Sequence, residues 1–424
     1  MTDILVLGAG YTGVAAALRI ARRTRRTGGK VTLVNASPRF TERLRLHQTA
    51  AGERLADYAL DEVVAGTGIT FVRGRVARLD PELREARLED GRVLGYDKLI
   101  YALGTVTDAS VPGVAEHACV YDDHAGTVRL SERLDALAGG TAPGDTAPGD
   151  TAPGDTAPGD TAPGDTAPGG TAALAGGGAV KGTVVVAGGG LTGVESATEL
   201  AEARPYLRVV LVTRGRPGAM MGPGARRHLD EVLRRLGVEV RAGVDITKVL
   251  PDGVELGGGE LIHSDATLWT TGTKGLPLAA ESGLRVDERG RIVVDAALRS
   301  VSHPDVYAVG DAAAVTQRFG VLHGTCQGGI PTGLHAADSL AATLRGRTPK
   351  PFRFGYYHQP VSLGRKDAVI QFTRPDDSPR RWYLKGRAAV TYKEVVSSSP
   401  MVTYRLLKRG LVPVWAFALS AVPS

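Results

Sequence analysis

Cysteine is nearly absent from the sequence, since Cys119 and Cys326 are its two cysteines among 424 residues. They lie far apart in the chain, which excludes a CxxC redox motif, the usual zinc-ligand spacings and a disulfide framework. No metal site is therefore expected. Aromatic residues make up 5% of the chain, so the hydrophobic cores must be built mainly from Ala, Val, Leu and Ile.

The sequence also lacks a recognisable targeting or membrane-spanning segment. Residues 1–8 contain no basic region followed by a long apolar stretch, so no signal peptide is predicted. No apolar run approaches the roughly 18 residues that a membrane-spanning helix needs. We therefore predict a cytoplasmic protein, whose net charge of +6 suits anionic cofactors or an anionic membrane surface.

Glycine, by contrast, is abundant, with 56 residues, about 13% of the chain against a usual level of about 7%. Residues 141–170 read TAPGD five times and then TAPGG, and they hold seven of these glycines. This repeat has Pro and Gly in every unit and no apolar face to bury. Segment 139–179 is therefore predicted to be a disordered linker, and most of the glycine excess belongs to the folded part.

The rest of the chain alternates short apolar runs with helical patterns. Strand-like runs occupy residues 4–7, 31–34, 98–102, 183–187, 209–212 and 267–270, and helical patterns cover 12–26 and 191–203. Short β-branched or apolar runs bounded by Gly, Asn or Lys are typical of buried strands. Strands that alternate with helices predict an α/β fold with parallel sheets.

The first predicted strand runs directly into a turn that contains Gly8, Gly10 and Gly13 in the spacing G-x-G-x-x-G. Between a strand and a helix, this pattern indicates a dinucleotide-binding turn. Gly8 permits the tight turn, Gly10 lets the backbone approach a pyrophosphate, and Gly13 lets the helix pack closely on the sheet. The helix N-terminus then attracts the phosphates.

The same pattern recurs after the repeat, where Gly188, Gly190 and Gly193 follow the run 183–187. Two such turns in one chain are far more specific than one. They predict two dinucleotides, each held by its own Rossmann-like domain.

Neither turn is followed by the acidic residue that usually accepts the ribose hydroxyls. Asn35 occupies that position in the first unit, where it would either hydrogen-bond the ribose without a charge or serve only as a turn residue. Arg214 lies near the equivalent position in the second unit. An arginine there attracts a 2′-phosphate and favours NADPH over NADH, but a solvated loop arginine is an equal alternative.

A third motif, VYAVGDAA, occupies residues 306–313 and contains Gly310 and Asp311, and two further strand-like runs end at Gly104 and Gly272. In this order, the five motifs resemble the two-dinucleotide-binding flavoproteins, the pyridine nucleotide–disulfide oxidoreductase group in the broad sense. The resemblance covers residues 1–345 apart from the repeat. It implies that FAD and NADH or NADPH are the cofactors, with Asp311 on the ribityl chain of FAD.

Within this superfamily, the lack of a redox-active cysteine pair excludes the disulfide-reducing branch. Residues 40–52 are similar to the corresponding stretch of type II NADH dehydrogenases, and so is the run Cys-Gln-Gly-Gly at 326–329. Cys326 departs from the Ala-Gln dipeptide of that family. Branches that resemble apoptosis-inducing factor or ferredoxin reductases remain compatible with the motifs.

The resemblance also implies the domain boundaries. The FAD domain would comprise residues 1–112 and 276–345, with an NAD(P) domain inserted at 113–275 and a C-terminal unit at 346–424 that consists of strands followed by a helical tail. The fold class is thus expected to be α/β, with two Rossmann-like domains and a C-terminal α+β region.

The same resemblance implies a set of cofactor-contacting residues. On the FAD side these are Gly8, Gly10, Tyr11, Thr12, Gly13, Asn35, Arg43, Val76, Gly104, Gly310, Asp311 and Gln327. On the NAD(P) side they are Gly188, Gly190, Thr192, Gly193, Glu195, Arg214 and Gly272.

Three residues are candidates for catalysis. The resemblance places Glu195 near the nicotinamide, although the helix dipole alone would also favour a carboxylate in a first helical turn. His47 would donate a proton near neutral pH, unless it is structural. Cys326 would lie near the isoalloxazine, either as a redox or substrate-contacting thiol or as a buried structural residue.

The resemblance implies hydride transfer from nicotinamide to flavin and electron transfer to a small acceptor such as a quinone. An oxidase or reductase of a small aromatic metabolite, and a flavoprotein whose redox state controls partner binding, remain alternatives. The basic run 22–26 has no interleaved aromatics, so no nucleic acid partner is expected. The basic and aromatic tail at 404–424 leaves open a homodimer contact or peripheral attachment at the inner face of the membrane.

Overall fold

The computed structural model describes residues 1–139 and 180–411. Most of the predicted linker, from residue 140 to 179, and the tail from residue 412 onward lie outside the described residues.

The two longest of the described helices come last in the chain. In chain order they are α1 (Tyr11–Thr24), α2 (Leu46–Ala50), α3 (Leu60–Val64), α4 (Val114–His117), α5 (His124–Gly139), α6 (Leu191–Ala203), α7 (Pro223–Arg235), α8 (Pro277–Glu281), α9 (Cys326–Thr343) and α10 (Gly386–Arg409).

The described strands are mostly short. In chain order they are β1 (Thr2–Leu7), β2 (Gly29–Asn35), β3 (Ile69–Arg73), β4 (Val76–Asp80), β5 (Glu85–Leu88), β6 (Val93–Gly95), β7 (Lys98–Tyr101), β8 (Thr105–Thr107), β9 (Ala118–Val120), β10 (Gly182–Ala187), β11 (Leu207–Thr213), β12 (Glu239–Ala242), β13 (Ile246–Leu250), β14 (Gly253–Leu256), β15 (Leu261–His263), β16 (Ala266–Trp269), β17 (Thr273–Gly275), β18 (Ile292–Val293), β19 (Val306–Ala308), β20 (Ala313–Ala314), β21 (Thr316–Gln317), β22 (Gly320–Val321), β23 (His358–Ser362), β24 (Ala368–Thr373) and β25 (Pro379–Lys385).

The first sheet has the strand order β19-β7-β1-β2-β3, and all four of its strand pairings are parallel. Its central strand β1 is buried from Ile4 to Leu7 because helices cover both faces of a parallel sheet, which leaves no polar alternation. Helix α1 presents a run of small buried residues, Val14 to Ala17, to this core.

The second sheet repeats the arrangement with the order β12-β11-β10-β16-β9, again parallel throughout. Helix α6 connects β10 to β11, as α1 connects β1 to β2. Two parallel five-stranded sheets confirm the predicted α/β class with two Rossmann-like units.

The two sheets are joined by the antiparallel pair β8 and β17, one strand from each crossing of the chain. Gly104 precedes β8 with φ +72° and Gly272 precedes β17 with φ +74°, a left-handed conformation that glycine adopts at little cost. The strand-then-glycine runs predicted from sequence thus lie where the chain passes between the two sheets.

After α9, the chain forms the antiparallel sheet β23-β24-β25 and the long helix α10. Helix α10 buries one stripe of residues and ends at Gly410, whose φ of +81° closes the helix. Its Tyr404 hydroxyl donates to the Tyr11 carbonyl (2.9 Å), so the helix packs across the start of α1. Among the described helices, none has the length and apolar character to cross a membrane.

The two described ends that flank the TAPGD repeat lie next to each other. Helix α5 ends at Gly139, β10 begins at Gly182, and the Lys181 ammonium donates to the carbonyl of Ala138 (2.6 Å). The chain therefore leaves and re-enters the second Rossmann-like unit at the same place.

Candidate functional site

The first glycine turn has the geometry that the sequence predicts. Gly8 has φ +96°, and a Cβ on Gly13 would lie 1.8 Å from the Gly8 carbonyl oxygen. Gly10 is the N-cap residue of α1, and a Cβ built there would meet no atom within 4 Å. The turn therefore leaves an open cradle at the N-terminus of α1, where the helix dipole and free N–H groups attract a pyrophosphate.

The second glycine turn repeats this geometry almost atom for atom. Gly188 has φ +120°, and a Cβ on Gly193 would again lie 1.8 Å from the carbonyl oxygen of the first glycine. Gly190 is the N-cap residue of α6, and its Cβ position is likewise clear of atoms within 4 Å. Both cradles fit a dinucleotide, and Thr192 lies in the first turn of α6.

Asn35 ends β2 beside the first turn, where its carboxamide oxygen accepts from the Ala9 N–H (3.0 Å) and its nitrogen donates to the Ser37 carbonyl (2.9 Å). The side chain thus holds the glycine turn in place, which is the structural role that the sequence left open. Gly74 donates its N–H to the Asn35 carbonyl (2.9 Å), and Val76 follows two residues later as the first residue of β4.

Gly310 and Asp311 form a tight turn against α1 and α9. The Gly310 N–H donates to the Thr332 hydroxyl (2.9 Å), and a Cβ on Gly310 would lie 2.7 Å from the hydroxyl oxygen of Thr12. Asp311 lines a small cavity together with Arg291 and residues at the start of α9. Burial raises the pKa of Asp311, against the opposing effect of the nearby arginines Arg43 and Arg291.

Arg43 was predicted to contact FAD, and the structure shows that it links the two Rossmann-like units. Its guanidinium donates to the Thr105 carbonyl (3.3 Å), to the carbonyls of Tyr121 and Asp122, and to the Asp122 carboxylate (3.4 Å). Thr105 begins β8, just after Gly104. Arg43 therefore lies at the crossing between the sheets.

Arg214 directly follows β11. Its side chain is 79% exposed, and its Nε atom lies 3.5 Å from an Asp245 carboxylate oxygen. The Thr213 side chain packs against the second glycine turn, where a Cβ on Gly189 would lie 2.4 Å from its hydroxyl. Gly272 lies against Asp108 at the crossing, on the same edge of the second sheet.

Two buried polar residues in α2 were not singled out from the sequence. Gln48 is 1% exposed, and neither its amide oxygen nor its nitrogen has a hydrogen-bond partner among the described residues. Thr49 is 5% exposed, and its hydroxyl likewise has no hydrogen-bond partner among the described residues. Buried polar groups rarely go without a partner, so their presence in the segment that resembles type II NADH dehydrogenases fits the binding of a polar cofactor there.

Glu195 lies in a buried ion pair with Lys393 of α10 (2.6 Å). The Ser362 N–H donates to the same carboxylate oxygen (3.1 Å), and the Lys393 ammonium also donates to the Pro360 carbonyl (3.2 Å). Burial alone would raise the pKa of Glu195, but the Lys393 charge, with smaller effects from His47 and these hydrogen bonds, holds it below its usual value.

Lys393 is a site residue that the sequence reasoning missed. It lies on the buried stripe of α10 with Ala389, Ser397 and Tyr404, at helical spacing. A lysine on an otherwise buried helical stripe was the signal that could have identified it, because lysine is almost never fully buried unless it is paired.

His47 is 2% exposed and lies against Glu195, Glu199 and Ser362, with its Nε2 atom 3.2 Å from the Ser362 hydroxyl. Burial lowers the pKa of His47 to about 4, despite the opposing effect of Glu195. Desolvation thus keeps the His47 ring neutral at pH 7, and its role as a proton donor or as a structural residue stays a prediction.

Gln327 joins the start of α9 to the C-terminal sheet. Its amide nitrogen donates to the His358 carbonyl (2.9 Å), and its oxygen accepts from the Tyr357 N–H (3.1 Å). The Thr325 hydroxyl accepts from Gly328 N–H (3.2 Å) and caps the helix. Cys326 is the first residue of α9, and its side chain lies outside the part of the chain that the structure describes.

The structure therefore brings Glu195 and His47 together, joined by Ser362 and Lys393 from the C-terminal unit. It places the two glycine turns at separate sheets and Arg214 on the surface. Within residues 1–139 and 180–411, no group of three or more His, Cys, Asp or Glu side chains is arranged to hold a metal ion.

Known proteins with similar sequences support two dinucleotide-binding units in this chain. The family model described as pyridine nucleotide-disulphide oxidoreductase matches residues 2–338. An NADH dehydrogenase-like protein of Mycobacterium tuberculosis is 29% identical over 415 residues, covering 94% of both chains. A type II NADH:quinone oxidoreductase of Staphylococcus epidermidis is 25% identical over 431 residues, covering 96% of both.

Solved structures with the same fold include NDH2 from Plasmodium falciparum in complex with NADH, with a TM-score of 0.74 and 14% identity over 96% of this chain and 97% of that one. The sulfide:quinone oxidoreductase of Aquifex aeolicus has a TM-score of 0.73 and 16% identity over 97% of this chain and 92% of that one. The chain thus belongs to the pyridine nucleotide–disulphide oxidoreductase family, whose members are flavin enzymes that bind FAD and NAD(P)H.

Proposed function

We propose that this protein is an FAD-dependent NAD(P)H oxidoreductase that delivers electrons to a quinone. The observation that carries the proposal is the pair of glycine turns of matching geometry, each with an open cradle at a helix N-terminus. Type II NADH:quinone oxidoreductases among its relatives support a quinone as the acceptor. Bound FAD would supply the redox chemistry, accepting a hydride from NAD(P)H and passing electrons onward.

The domain assignment follows from the two sheets. The strands of the first sheet come from residues 2–101 and 306–308, which supports an FAD domain at 1–112 and 276–345. The strands of the second sheet span 118–269, which supports an NAD(P) domain at 113–275. Residues 346–424 would then form the C-terminal unit that covers the acceptor side.

In this proposal, the Glu195–Lys393 pair lies at the meeting point of all three units. Lys393 has three N–H donors, of which Glu195 and the Pro360 carbonyl take two. The third is available to an acceptor oxygen, whose developing negative charge the ammonium would stabilise. Glu195 holds the ammonium in place.

The nicotinamide preference rests on Arg214. Because its side chain is 79% exposed and its carboxylate neighbour is 3.5 Å away, the guanidinium is free to turn toward a 2′-phosphate. We propose that the enzyme accepts both nicotinamides, and that Arg214→Ala lowers the affinity for NADPH more than the affinity for NADH.

Peripheral membrane attachment is a second part of the proposal. Helix α10 exposes Val395 and Val402, and Arg405 and Arg409 lie further along the same face, which suits an anionic lipid surface. In a liposome flotation assay, full-length protein should float and a truncation after Gly410 should float less. Equal partitioning of the two would remove this part of the proposal.

Anaerobic stopped-flow absorbance tests the main proposal. The purified protein should carry FAD, NADH or NADPH should bleach its visible flavin absorption band, and a quinone should restore the colour within the turnover time. Bleaching that only an aromatic metabolite reverses would contradict the quinone assignment. A long-lived bleached state that changes oligomeric state would instead favour a regulatory flavoprotein.

A further inference from the structure

His47 lies between two buried glutamates, with one ring nitrogen facing each. Its Nδ1 atom is 3.9 Å from a Glu195 oxygen, and its Nε2 atom is 3.8 Å from a Glu199 oxygen. The Ser362 hydroxyl bridges the arrangement, 3.2 Å from Nε2 and 3.5 Å from Glu195. Glu195 and Glu199 are one helical turn apart on α6, so the same helix face presents both carboxyls.

Glu199 is buried with little compensation for its charge, since Ser362 is its hydrogen-bonding neighbour and no cation lies within hydrogen-bond distance of its Oε1 atom among the described residues. Its side chain is 1% exposed, and its Oε1 atom has no hydrogen bond among the described residues. The nearest cation is Arg365, whose Nη1 atom is 3.7 Å from Oε1. Arg365 is already paired with Glu53 (2.9 Å) and Glu394 (2.9 Å).

The surrounding charges are balanced without Glu199. The cations Lys393, Arg365 and Arg45 are matched by three carboxylates, each within 2.9 Å of one of them. These carboxylates are Glu195, Glu53 and Glu394. Glu199 is therefore the extra carboxyl of the cluster, and it is the one that can carry a proton at modest cost.

The cluster also reaches the surface at one end. The side chains of Glu53, Arg365 and Glu394 are 38%, 34% and 33% exposed. Those of Glu199, His47 and Glu195, which lie further inside the cluster, are buried. The groups thus run from solvent at Glu53 to the Glu195–Lys393 pair inside the molecule.

We infer, resting on the proposed function, that Glu199, His47 and Ser362 form a proton path from the surface to the Glu195–Lys393 pair. Reduction of a quinone by NADH consumes one proton beyond the hydride: NADH, a quinone and H⁺ yield NAD⁺ and a hydroquinone. The path supplies that proton, which moves from Glu199 to His47 Nε2, leaves from Nδ1 or through Ser362 to Glu195, and reaches the acceptor oxygen by way of Lys393.

The protonation properties of the groups suit this role. Burial raises the pKa of Glu199 to about 7, against the opposing charge of Arg365, so that the carboxyl gains and loses a proton near neutral pH. His47 stays neutral with a pKa of about 4, and a neutral ring accepts a proton at one nitrogen as it releases one from the other.

Every element packed against Glu199 contributes to its titration. Ser362 faces it from the end of β23 and Arg365 from the β23–β24 connection. His47 faces it from α2, and Glu53 from the residues after α2. Glu195 lies on its own helix, and Tyr121 faces both glutamates from the end of β9. Lys393 and Glu394 act from α10 through Glu195 and Arg365.

The test compares the holoenzyme with its Glu199→Gln variant, which keeps the side-chain shape and removes the titrating group. Stopped-flow absorbance measures flavin reduction by NADH, and then flavin reoxidation by menadione (a naphthoquinone) and by ferricyanide, which takes electrons without protons. Glu202→Gln, one turn further along α6, is the matched control because Glu202 lies outside the path.

The inference expects Glu199→Gln to leave reduction by NADH and reoxidation by ferricyanide unchanged, and to slow reoxidation by menadione about tenfold or more. The pH dependence of the menadione step near pH 7 should flatten. Infrared spectra of the wild-type holoenzyme should show a protonated-carboxyl band that disappears with rising pH and is missing from the variant. His47→Gln should slow the same step and serves if Glu199→Gln does not fold.

Wild-type menadione rates and an unaltered pH profile in Glu199→Gln would overturn the inference and leave the proposed function intact. Equal slowing of all three reactions would also overturn it, because a purely structural defect is not selective for the proton-consuming step. Wild-type enzyme that NADH bleaches but menadione fails to reoxidise would contradict the inference and the proposed function together.

Discussion

At the scale of single residues, the most informative feature is a set of ionisable side chains inside the molecule. Glu195, Glu199, His47 and Lys393 have side chains that are 9%, 1%, 3% and 8% exposed. Buried charges are costly unless they are paired, so each of these groups affects stability as well as chemistry. Folding raises the pKa of Glu199 and lowers the pKa values of Glu195 and His47, so the effects of these three groups on stability differ in their pH dependence.

Glu199→Gln is expected to stabilise the protein at alkaline pH. The pKa of Glu199 is raised from 4.5 to about 7 on folding, so the folded state binds the proton more tightly and stability is lost as pH rises through that range. The variant should therefore match the wild type at pH 4 and exceed it by about 1–3 kcal/mol at pH 8. Thermal unfolding of both proteins across this pH range measures the difference.

The contribution of His47 to stability changes with pH in the opposite direction to that of Glu199. The quantity to compare is therefore the difference in unfolding free energy between the wild type and Glu199→Gln at each pH. Because the pKa of His47 is lowered to about 4, its contribution to stability is lost as pH falls from 6.5 to about 4. Both proteins share this effect, and Glu202→Gln controls for loss of a carboxylate from α6. A wild-type-minus-variant difference that does not vary with pH would refute the assignment.

Lys393→Met is expected to destabilise the protein by about 3 kcal/mol. The substitution leaves the Glu195 carboxylate buried without its partner 2.6 Å away, and an uncompensated buried charge costs several kcal/mol. The double variant with Glu195→Gln should recover much of this loss, because no charge is then left alone. Urea unfolding of the two single variants and the double variant gives the coupling, and strictly additive losses would show that the pair does not interact.

At the scale of helices and strands, the two glycine turns were predictable because their requirements are local. Gly8 and Gly188 sit at positive φ, and Gly13 and Gly193 pack a helix against a backbone carbonyl. These demands arise between residues five apart, so the sequence spacing carries them. The helix and strand bounds near them differ from the predicted ones by only one or two residues.

Gly190→Ala and Gly193→Ala should separate cofactor binding from folding. A Cβ on Gly190 meets no protein atom within 4 Å, so the variant should fold normally and bind NADH at least about tenfold more weakly. A Cβ on Gly193 would lie 1.8 Å from the Gly188 carbonyl oxygen, so this variant should lose several kcal/mol of stability, on the order of a strained core substitution. Isothermal titration with NADH and thermal unfolding distinguish the two.

Unchanged NADH affinity in Gly190→Ala would show that the second cradle does not hold the nicotinamide cofactor. The equivalent pair in the first turn, Gly10→Ala and Gly13→Ala, provides the matched comparison, with retained FAD as the readout.

The central side-chain cluster was predictable only in part. Glu195 and His47 were identified from their neighbourhoods in the sequence, but their partners Ser362 and Lys393 lie far along the chain from both. Nothing local connects these positions, since β23 and α10 bring them together only when the C-terminal unit packs on α6. The neutrality of His47 likewise depends on burial, which no spacing in the sequence reveals.

At the scale of the whole molecule, three units meet around a few long-range contacts. Arg43 links the first unit to Asp122 in the second, and Gln327 fastens α9 to the C-terminal sheet through the His358 carbonyl. Helix α10 reaches both Rossmann-like units, through Tyr404 at one end and Lys393 nearer the other. The candidate acceptor side therefore depends on the correct packing of all three units.

Deletion of residues 141–170 is expected to leave the fold and the redox activity intact. The contact between Lys181 and Ala138 holds the flanking residues together, so a shorter connection spans the same gap, and loop closure changes stability by only about 1 kcal/mol. The melting temperature and the rate of flavin reduction should match those of the full-length protein. A large loss of either would show that the repeat contributes to folding or to cofactor binding.

The meeting of Ala138 and Lys181 has a consequence for the history of the chain. Six nearly identical five-residue units invite gains and losses of whole units when the encoding DNA is copied, and each such event preserves the reading frame. Because the chain leaves and re-enters the fold at one point, insertions and deletions there displace no strand or helix. The number of units is therefore free to drift among closely related strains while the residues on either side stay fixed.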